Sequence, residues 1–178
     1  ERRAQIGVPI VLFTYVNPLL ARGPELFAEQ AATSGVDGVL CVDLPPEEAA
    51  EITQPLLERG LDTIFLLAPT STKERVKRIA RTSTGFAYYV SRTGVTGERA
   101  ALPRELQREV KALRKCLPVP LAVGFGISTP EQVWAVGKIA DGVVVGSALV
   151  RLIEEHGRSA SLARVVGERA REMAAALR

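Results

Sequence analysis

The stretch PLAVGFGISTPEQVWAVGKI, residues 120–139, decides the reading of the fold. Residues 120–125 are apolar without polar alternation, the pattern of a strand buried on both faces of a parallel sheet. Glycine then interrupts the run at Gly126. Thr129-Pro130-Glu131-Gln132 reads as a helix start: a hydroxyl at the N-cap, then proline at the first helical position, where a missing N–H breaks no intrahelical bond. An amphipathic stretch of helical length, 130–139, completes the segment. Strand, glycine turn and capped helix together make one βα unit.

The same alternation runs through the rest of the chain. Strand-like runs fall at 9–15, 38–43, 63–67, 86–90, 120–125 and 142–145. Helical stretches fall at 24–34, 46–59, 73–82, 103–116 and 130–139, and the last strand is followed by 148–155 and 159–177. Gly35 and Gly60 stand where C-caps belong. Asn17-Pro18 reads as a turn, and Glu47 and Glu48 as acidic first-turn residues of the helix at 46–59. Six βα units in a row imply an α/β protein with a parallel sheet, either doubly wound or closed into a barrel. No linker or composition shift divides residues 1–178, so a single domain is expected. A (β/α)8 barrel takes about 250 residues. Six units, and an opening on Glu1-Arg2-Arg3 that reads as the tail of a helix, lead to the expectation that two further units precede this segment. Taken alone, the segment is then expected to expose sheet edges at 9–15 and 142–145.

Composition narrows the function classes. Of 178 residues, 47% are hydrophobic and 24% charged, a globular balance. The longest apolar stretch, 8–16, falls short of the roughly 18–20 residues that span a bilayer. The 23 basic and 20 acidic residues alternate along helical stretches, as on a solvated face, and only 5% of residues are aromatic, so nucleic-acid binding is not expected. A single histidine, His156, reads as a helix C-terminal residue and excludes a multi-histidine metal site. Cys41 and Cys116 give neither a disulfide framework nor metal spacing; they read as buried thiols of a reduced compartment, and a cytoplasmic location follows.

Chemistry gathers just after the strands. Ser91-Arg92-Thr93-Gly94-Val95-Thr96-Gly97, Gly124-Phe125-Gly126-Ile127-Ser128 and Gly146-Ser147-Ala148 follow the last three runs. Glycine lets backbone N–H groups approach an oxyanion, and a helix start adds free donors and a favourable dipole. Three such loops at consecutive strand ends point to one phosphate held by Gly97, Gly126, Gly146 and Ser147; tight turns without a ligand are the bland alternative. Asp43 reads equally as a turn former or as a polar active-site residue, and Tyr88 as a core aromatic or a substrate neighbour.

On these motifs the chain resembles the α chains of tryptophan synthases, over essentially all 178 residues. The resemblance rests on residues 9–18 (PIVLFTYVNP), 42–48 (VDLPPEE), 88–97 (YYVSRTGVTG), 124–128 (GFGIS) and 146–150 (GSALV). It implies a (β/α)8 TIM barrel, with strands three to eight present here as the C-terminal three quarters. It further implies aldol cleavage of indole-3-glycerol phosphate to indole and glyceraldehyde 3-phosphate in tryptophan biosynthesis, with no metal or organic cofactor of its own. The expected partner is a β subunit that carries pyridoxal phosphate, in an α2β2 complex. By resemblance the phosphate rests on Gly97, Gly126, Gly146 and Ser147. Tyr88 is a supporting catalytic residue, and Leu40, Asp43, Phe125, Tyr15 and Thr96 line the substrate pocket. Asn17, Pro18 and Pro45 face the partner. The family's principal glutamate and aspartate have no match in this segment, which is therefore expected to be inactive alone. Another phosphate-binding barrel, such as an indole-3-glycerol-phosphate synthase, and a catalytically inactive fragment that binds the β subunit are the alternatives.

Overall fold

The computed structural model describes residues 3–91, 103–124 and 126–177. The chain forms two compact units, Glu1–Leu67 with Ser71–Tyr88 and Cys116–Pro120, and Ala68–Thr70 with Tyr89–Lys115 and Leu121–Arg178.

The first unit opens with a 3-10 turn, Arg3–Gln5, then runs β1 (Val11–Thr14), α1 (Val16–Arg22), α2 (Pro24–Thr33), β2 (Gly38–Cys41), α3 (Ala50–Glu58), β3 (Asp62–Leu67), α4 (Lys73–Thr82) and the start of β4 (Ala87–Val90). Strands β1, β2 and β3 are parallel neighbours in chain order, with Val11 opposite Gly38 and Gly38 opposite Asp62. Val39, Leu40, Ile64 and Leu67 of the sheet are buried, as are Leu19, Ile52, Leu56 and Ile79 of the helices. The second unit takes the end of β4 and adds α5 (Arg104–Arg114), β5 (Leu121–Gly124), α6 (Pro130–Gly137), β6 (Gly142–Val144), α7 (Ser147–His156) and α8 (Leu162–Ala175). β5 and β6 are parallel, with Gly124 opposite Val144. Leu106, Val110, Leu121, Val123, Val133, Val136 and Met173 are among its buried apolar residues. Within each unit the strand order is the chain order. A doubly wound sheet reverses its order at a switch point; a barrel does not.

Local chemistry explains the element ends. Gly35 and Gly60 take φ +79° and +72° after α2 and α3, the left-handed C-terminal conformation. Thr129 and Gln132 form the reciprocal capping box that starts α6.

One device recurs at the amino ends of the strands. In the first unit Asp37, just before β2, donates its N–H to the Ile10 carbonyl at 2.8 Å, and its carboxylate accepts the Ile10 N–H at 2.7 Å. In the second, Asp141, just before β6, donates to the Leu121 carbonyl at 3.0 Å and accepts the Leu121 N–H at 3.0 Å. A guanidinium closes each clamp: Arg3 Nη2 lies 2.9 Å from Asp37, and Arg114 donates to both oxygens of Asp141.

Four expectations need correction. Asn17-Pro18 is not a turn but the first turn of α1. Proline is tolerated there because first-turn N–H groups have no intrahelical acceptor. Glu47 and Glu48 precede α3, which starts at Ala50. Pro45-Pro46 keeps the preceding residues out of helical geometry, and Glu48 N–H instead closes a turn on the Pro45 carbonyl. Cys41 is buried, but Cys116 is exposed, because it lies in the turn past the end of α5 at Arg114 and not on the helix face that Leu106 and Val110 bury. The strands are also not uniformly buried. β2 is buried at every position, whereas Phe13 of β1 is 63% exposed; among the described residues β1 pairs with β2 on one side. No described helix is long and apolar enough to cross a membrane.

The Asp141 clamp carries a pH signature. The Leu121 N–H and then the Arg114 guanidinium hold the Asp141 carboxyl below its ordinary value, against partial desolvation. A carboxylate whose pKa falls on folding stabilises the fold above its unfolded value, and that contribution is lost as pH drops through the folded one. Asp141→Ala is expected to cost about 1–3 kcal/mol near neutral pH, the range for leaving a partly buried donor unmet. Thermal melts of parent and variant should differ near pH 7 and converge in acid; a gap independent of pH counts against the clamp.

Candidate functional site

In the first unit the β1, β2 and β4 ends bring together several of the expected residues. β1 ends at Thr14, and Tyr15 is the exposed N-cap of α1. Asp43, two residues past β2, accepts the Val16 N–H at 2.7 Å, so its carboxylate ties the start of α1 to the end of β2. The Cys41 thiol points at the same oxygen from 3.6 Å. Burial, then the nearby Asp43 charge, pushes that thiol up to about 11, so it stays protonated near neutral pH. Leu40, expected in the pocket wall, is only 2% exposed and sits in the core opposite Phe13.

Tyr88 is half-buried in β4, and burial raises its phenol above the ordinary value. Its ring meets Phe13 edge-on, with centroids 6.5 Å apart at 66°. The pair forms an apolar aromatic surface suited to a flat ring. Phe13 was missed at the level of sequence, although its spacing from Tyr15 in the same run would have placed both on one face of the strand.

Asn17 and Pro18, in the first turn of α1, are exposed. Asp43 and Pro45 line a cleft of about 520 Å³ with Leu20 of α1 and the carboxylates of Glu47, Glu48 and Glu51.

The second unit holds the glycine loops. β5 and β6 end level, at Gly124 and Val144, and Gly126 and Gly146 each stand two residues beyond. Gly126 has φ +73°, a conformation that favours glycine. Gly146 is the N-cap of α7; no side chain caps the helix there, and the Leu149 and Val150 N–H groups bond back to the Gly146 carbonyl. That leaves the opening amides of α7 pointing ahead of the helix. Gly126 and Ser147 line one cleft of about 790 Å³, whose walls also carry Arg151 and Arg169. Glu155, Glu168 and Glu172 line the same cleft, so its side chains carry no net positive charge; what the arrangement offers an anion is backbone donors and a helix N-terminus. Ser91, which begins the third glycine loop, donates its N–H to the Gly124 carbonyl at the end of β5. Thr96, Gly97 and Phe125 lie outside the described residues.

Chain-ordered parallel strands, each followed by a helix, with the candidate residues at their carboxyl ends, place this chain in the (β/α)8 TIM-barrel class, of which it covers a part. The sequence model of the family described as tryptophan synthase alpha chain matches residues 1–178. The tryptophan synthase alpha chain of Geobacter sulfurreducens is 55% identical over 152 residues, 85% of this chain and 58% of the relative. That of Novosphingobium aromaticivorans is 46% identical over 154 residues, 86% of this chain and 58% of the relative. Among solved structures, the alpha subunit from Legionella pneumophila superposes with a TM-score of 0.88 at 36% identity, covering 99% of this chain and 65% of that one. A structure of the tryptophan synthase a2b2 complex from Pyrococcus furiosus gives 0.87 at 40% identity, covering 97% and 69%. The chain belongs to the tryptophan synthase alpha chain family, a family of lyases. It spans about 58% of the length of the curated relatives it matches.

Gly146 separates ligand binding from folding. A β-carbon built there meets nothing within 4 Å, and the residue does not need a positive φ. Gly146→Val is therefore expected to cost no more than about 1 kcal/mol of stability, as an N-cap exchange. It should weaken glycerol 3-phosphate binding by roughly ten-fold or more, because its side chain fills the space an anion must enter. Calorimetric titration beside a thermal melt reads both; equal affinity of variant and parent defeats the assignment.

Proposed function

We propose that this chain takes part in the α-chain reaction, aldol cleavage of indole-3-glycerol phosphate to indole and glyceraldehyde 3-phosphate. The observation that carries the reading is the cleft of the second unit, where Gly126 and the uncapped start of α7 at Ser147 face one space. Backbone amides and a helix dipole hold a phosphate there without a metal or organic cofactor. By the resemblance, Gly97 is a further phosphate residue and Thr96 and Phe125 are substrate-pocket residues; in the first unit, exposed Phe13 meets half-buried Tyr88 edge-on, an apolar surface of the kind that suits an indole ring. The reaction protonates indole at C3, so that the ring leaves with the bonding electrons, while a base takes the hydroxyl proton of the glycerol chain and a carbonyl forms. That needs a positioned acid and a positioned base. Tyr88, half-buried in β4, supports them; by the resemblance, no acidic residue among these 178 takes the place of the principal pair.

A polypeptide of these 178 residues alone is accordingly expected to release indole on the order of 10²–10⁴-fold more slowly than the Geobacter sulfurreducens relative, the usual cost of losing an acid/base group. A chimera that adds the relative's preceding segment is expected to restore indole release, and Gly146→Val in the chimera to lower kcat/KM by roughly ten-fold or more. Ordinary turnover by the 178 residues alone refutes the assignment of the acid and base. A folded chimera that binds glycerol 3-phosphate but releases no indole refutes the reaction.

The reading extends to a partner, a pyridoxal-phosphate-containing β chain working in the cytoplasm. The Pyrococcus furiosus relative is described in an a2b2 complex. Exposed Asn17 and Pro18, with Pro45 beside the acidic cleft, form the docking face. Asn17→Lys should weaken α–β association by roughly ten-fold, as a charge placed in an interface does, and leave glycerol 3-phosphate affinity unchanged. An unaltered α–β dissociation constant removes Asn17 from the interface.

A further inference from the structure

We infer that Gln132 and Arg169 are positioning residues for the phosphate loop after β5, an inference that rests on the phosphate reading of the second-unit cleft. The loop needs an external hold. Gly126 lies at φ +73°, and glycine restrains its own backbone less than any other residue. An amide that must meet an anion in one direction gains affinity when that direction is fixed beforehand.

Two side chains fix it, through Ser128. Gln132, in the first turn of α6 and only 9% exposed, turns its Oε1 back to accept the Ser128 N–H at 2.8 Å. The same oxygen lies 3.3 Å from the Ser128 hydroxyl and from the Thr129 N–H. From α8, 41 residues further along the chain, Arg169 donates through Nη2 to the Ser128 carbonyl at 2.8 Å. Its Nη1 is anchored on Glu172 at 2.8 Å.

Both backbone groups of Ser128 are thus held at once by side chains, and they belong to the two peptide planes that flank its α-carbon. Ile127, between Ser128 and Gly126, is buried and cannot swing to compensate. The tilt of the Gly126 segment is therefore set by α6 and α8 rather than by the loop. A helix cap alone needs only the Thr129–Gln132 pair; the bond from Arg169 to the loop carbonyl goes beyond it. Gly126, Ser128, Gln132, Arg169 and Ser147 border the same cleft, so a shift of the anchors is a shift of the site.

The test is calorimetric titration of the chain with inorganic phosphate and with glycerol 3-phosphate. Gln132→Leu keeps net charge unchanged; Arg169→Met removes both the hydrogen bond and the charge, Arg169→Lys keeps a charged donor, and titration at raised salt separates the charge from the hydrogen bond. Thr72→Ala is the control: it removes the comparable side-chain cap of α4, where the Thr72 hydroxyl accepts the Arg75 N–H, and Thr72 does not line the cleft. Gln132→Leu and Arg169→Met are expected to raise both dissociation constants roughly ten-fold, the scale on which misplacing a binding group by a fraction of an ångström acts. Their circular dichroism should match the parent. Arg169→Lys should recover most of the loss and Thr72→Ala should show none.

Parental affinity in Gln132→Leu and Arg169→Met overturns the positioning role while the phosphate reading stands. So does an Arg169→Met loss that disappears at raised salt, since a screened effect is charge alone. A parent that binds neither anion overturns the phosphate reading, and this inference with it. Should Gln132→Leu fail to fold, the salt dependence of the Arg169→Met loss decides.

Discussion

A carboxylate that accepts the first amide of the neighbouring strand, while its own N–H meets that residue's carbonyl, fixes a parallel pair at one point with two bonds. Asp37 does this to Ile10, and Asp141 to Leu121. Parallel strands have no tight hairpin to set their register, so the alignment must come from packing or from side chains. With the amino ends locked, the carboxyl ends are level: Thr14 stands opposite Cys41, and Gly124 opposite Val144. Every candidate site residue depends on that levelling. A slip of one residue at Asp141 would move Gly146 against Gly126 by about 3.3 Å, more than a hydrogen bond tolerates. The glycine beside each clamp has its own reason. A β-carbon at Gly38 would meet Ile64 and the Asp62 backbone near 3 Å, and one at Gly142 would meet the Ala122 side chain at 3.3 Å.

The two ends of the strands have divided their chemistry. At the amino ends, Asp, Arg and Gly make closed networks among themselves. At the carboxyl ends, groups are left with capacity to spare: an uncapped helix start, a positive-φ glycine, an exposed phenylalanine against a half-buried tyrosine. This is the division expected of parallel α/β barrels, where stability resides at one face and ligand contacts at the other. The Asp43 carboxylate is the exception, since it stands at a carboxyl end yet is engaged structurally by the Val16 N–H. One group there holds α1 in place and also borders the acidic cleft.

The helix caps and glycine turns were legible because glycine and proline constrain the backbone locally. Thr129-Pro130-Glu131-Gln132 names its own cap, and Gly35 and Gly60 their own left-handed turns. The start of α1 was not legible, because Asn-Pro favours a turn in isolation and helix formation there draws on a carboxylate 27 residues away. The repeated Asp-Gly at 37–38 and 141–142 was visible but mute. Its meaning lies in an amide on another strand.

The sequence by itself therefore determined the class of fold, the order of its βα units and the local caps and glycine turns that bound them. Each depends on apolar periodicity or on the backbone preference of a few adjacent residues. Only the tertiary structure decided that Leu40 belongs to the core, that Phe13 meets Tyr88, and that Arg169 reaches Ser128 across 41 residues. Those facts rest on which side chains converge in space, and convergence is set by strand register and helix docking, which no local stretch of sequence encodes.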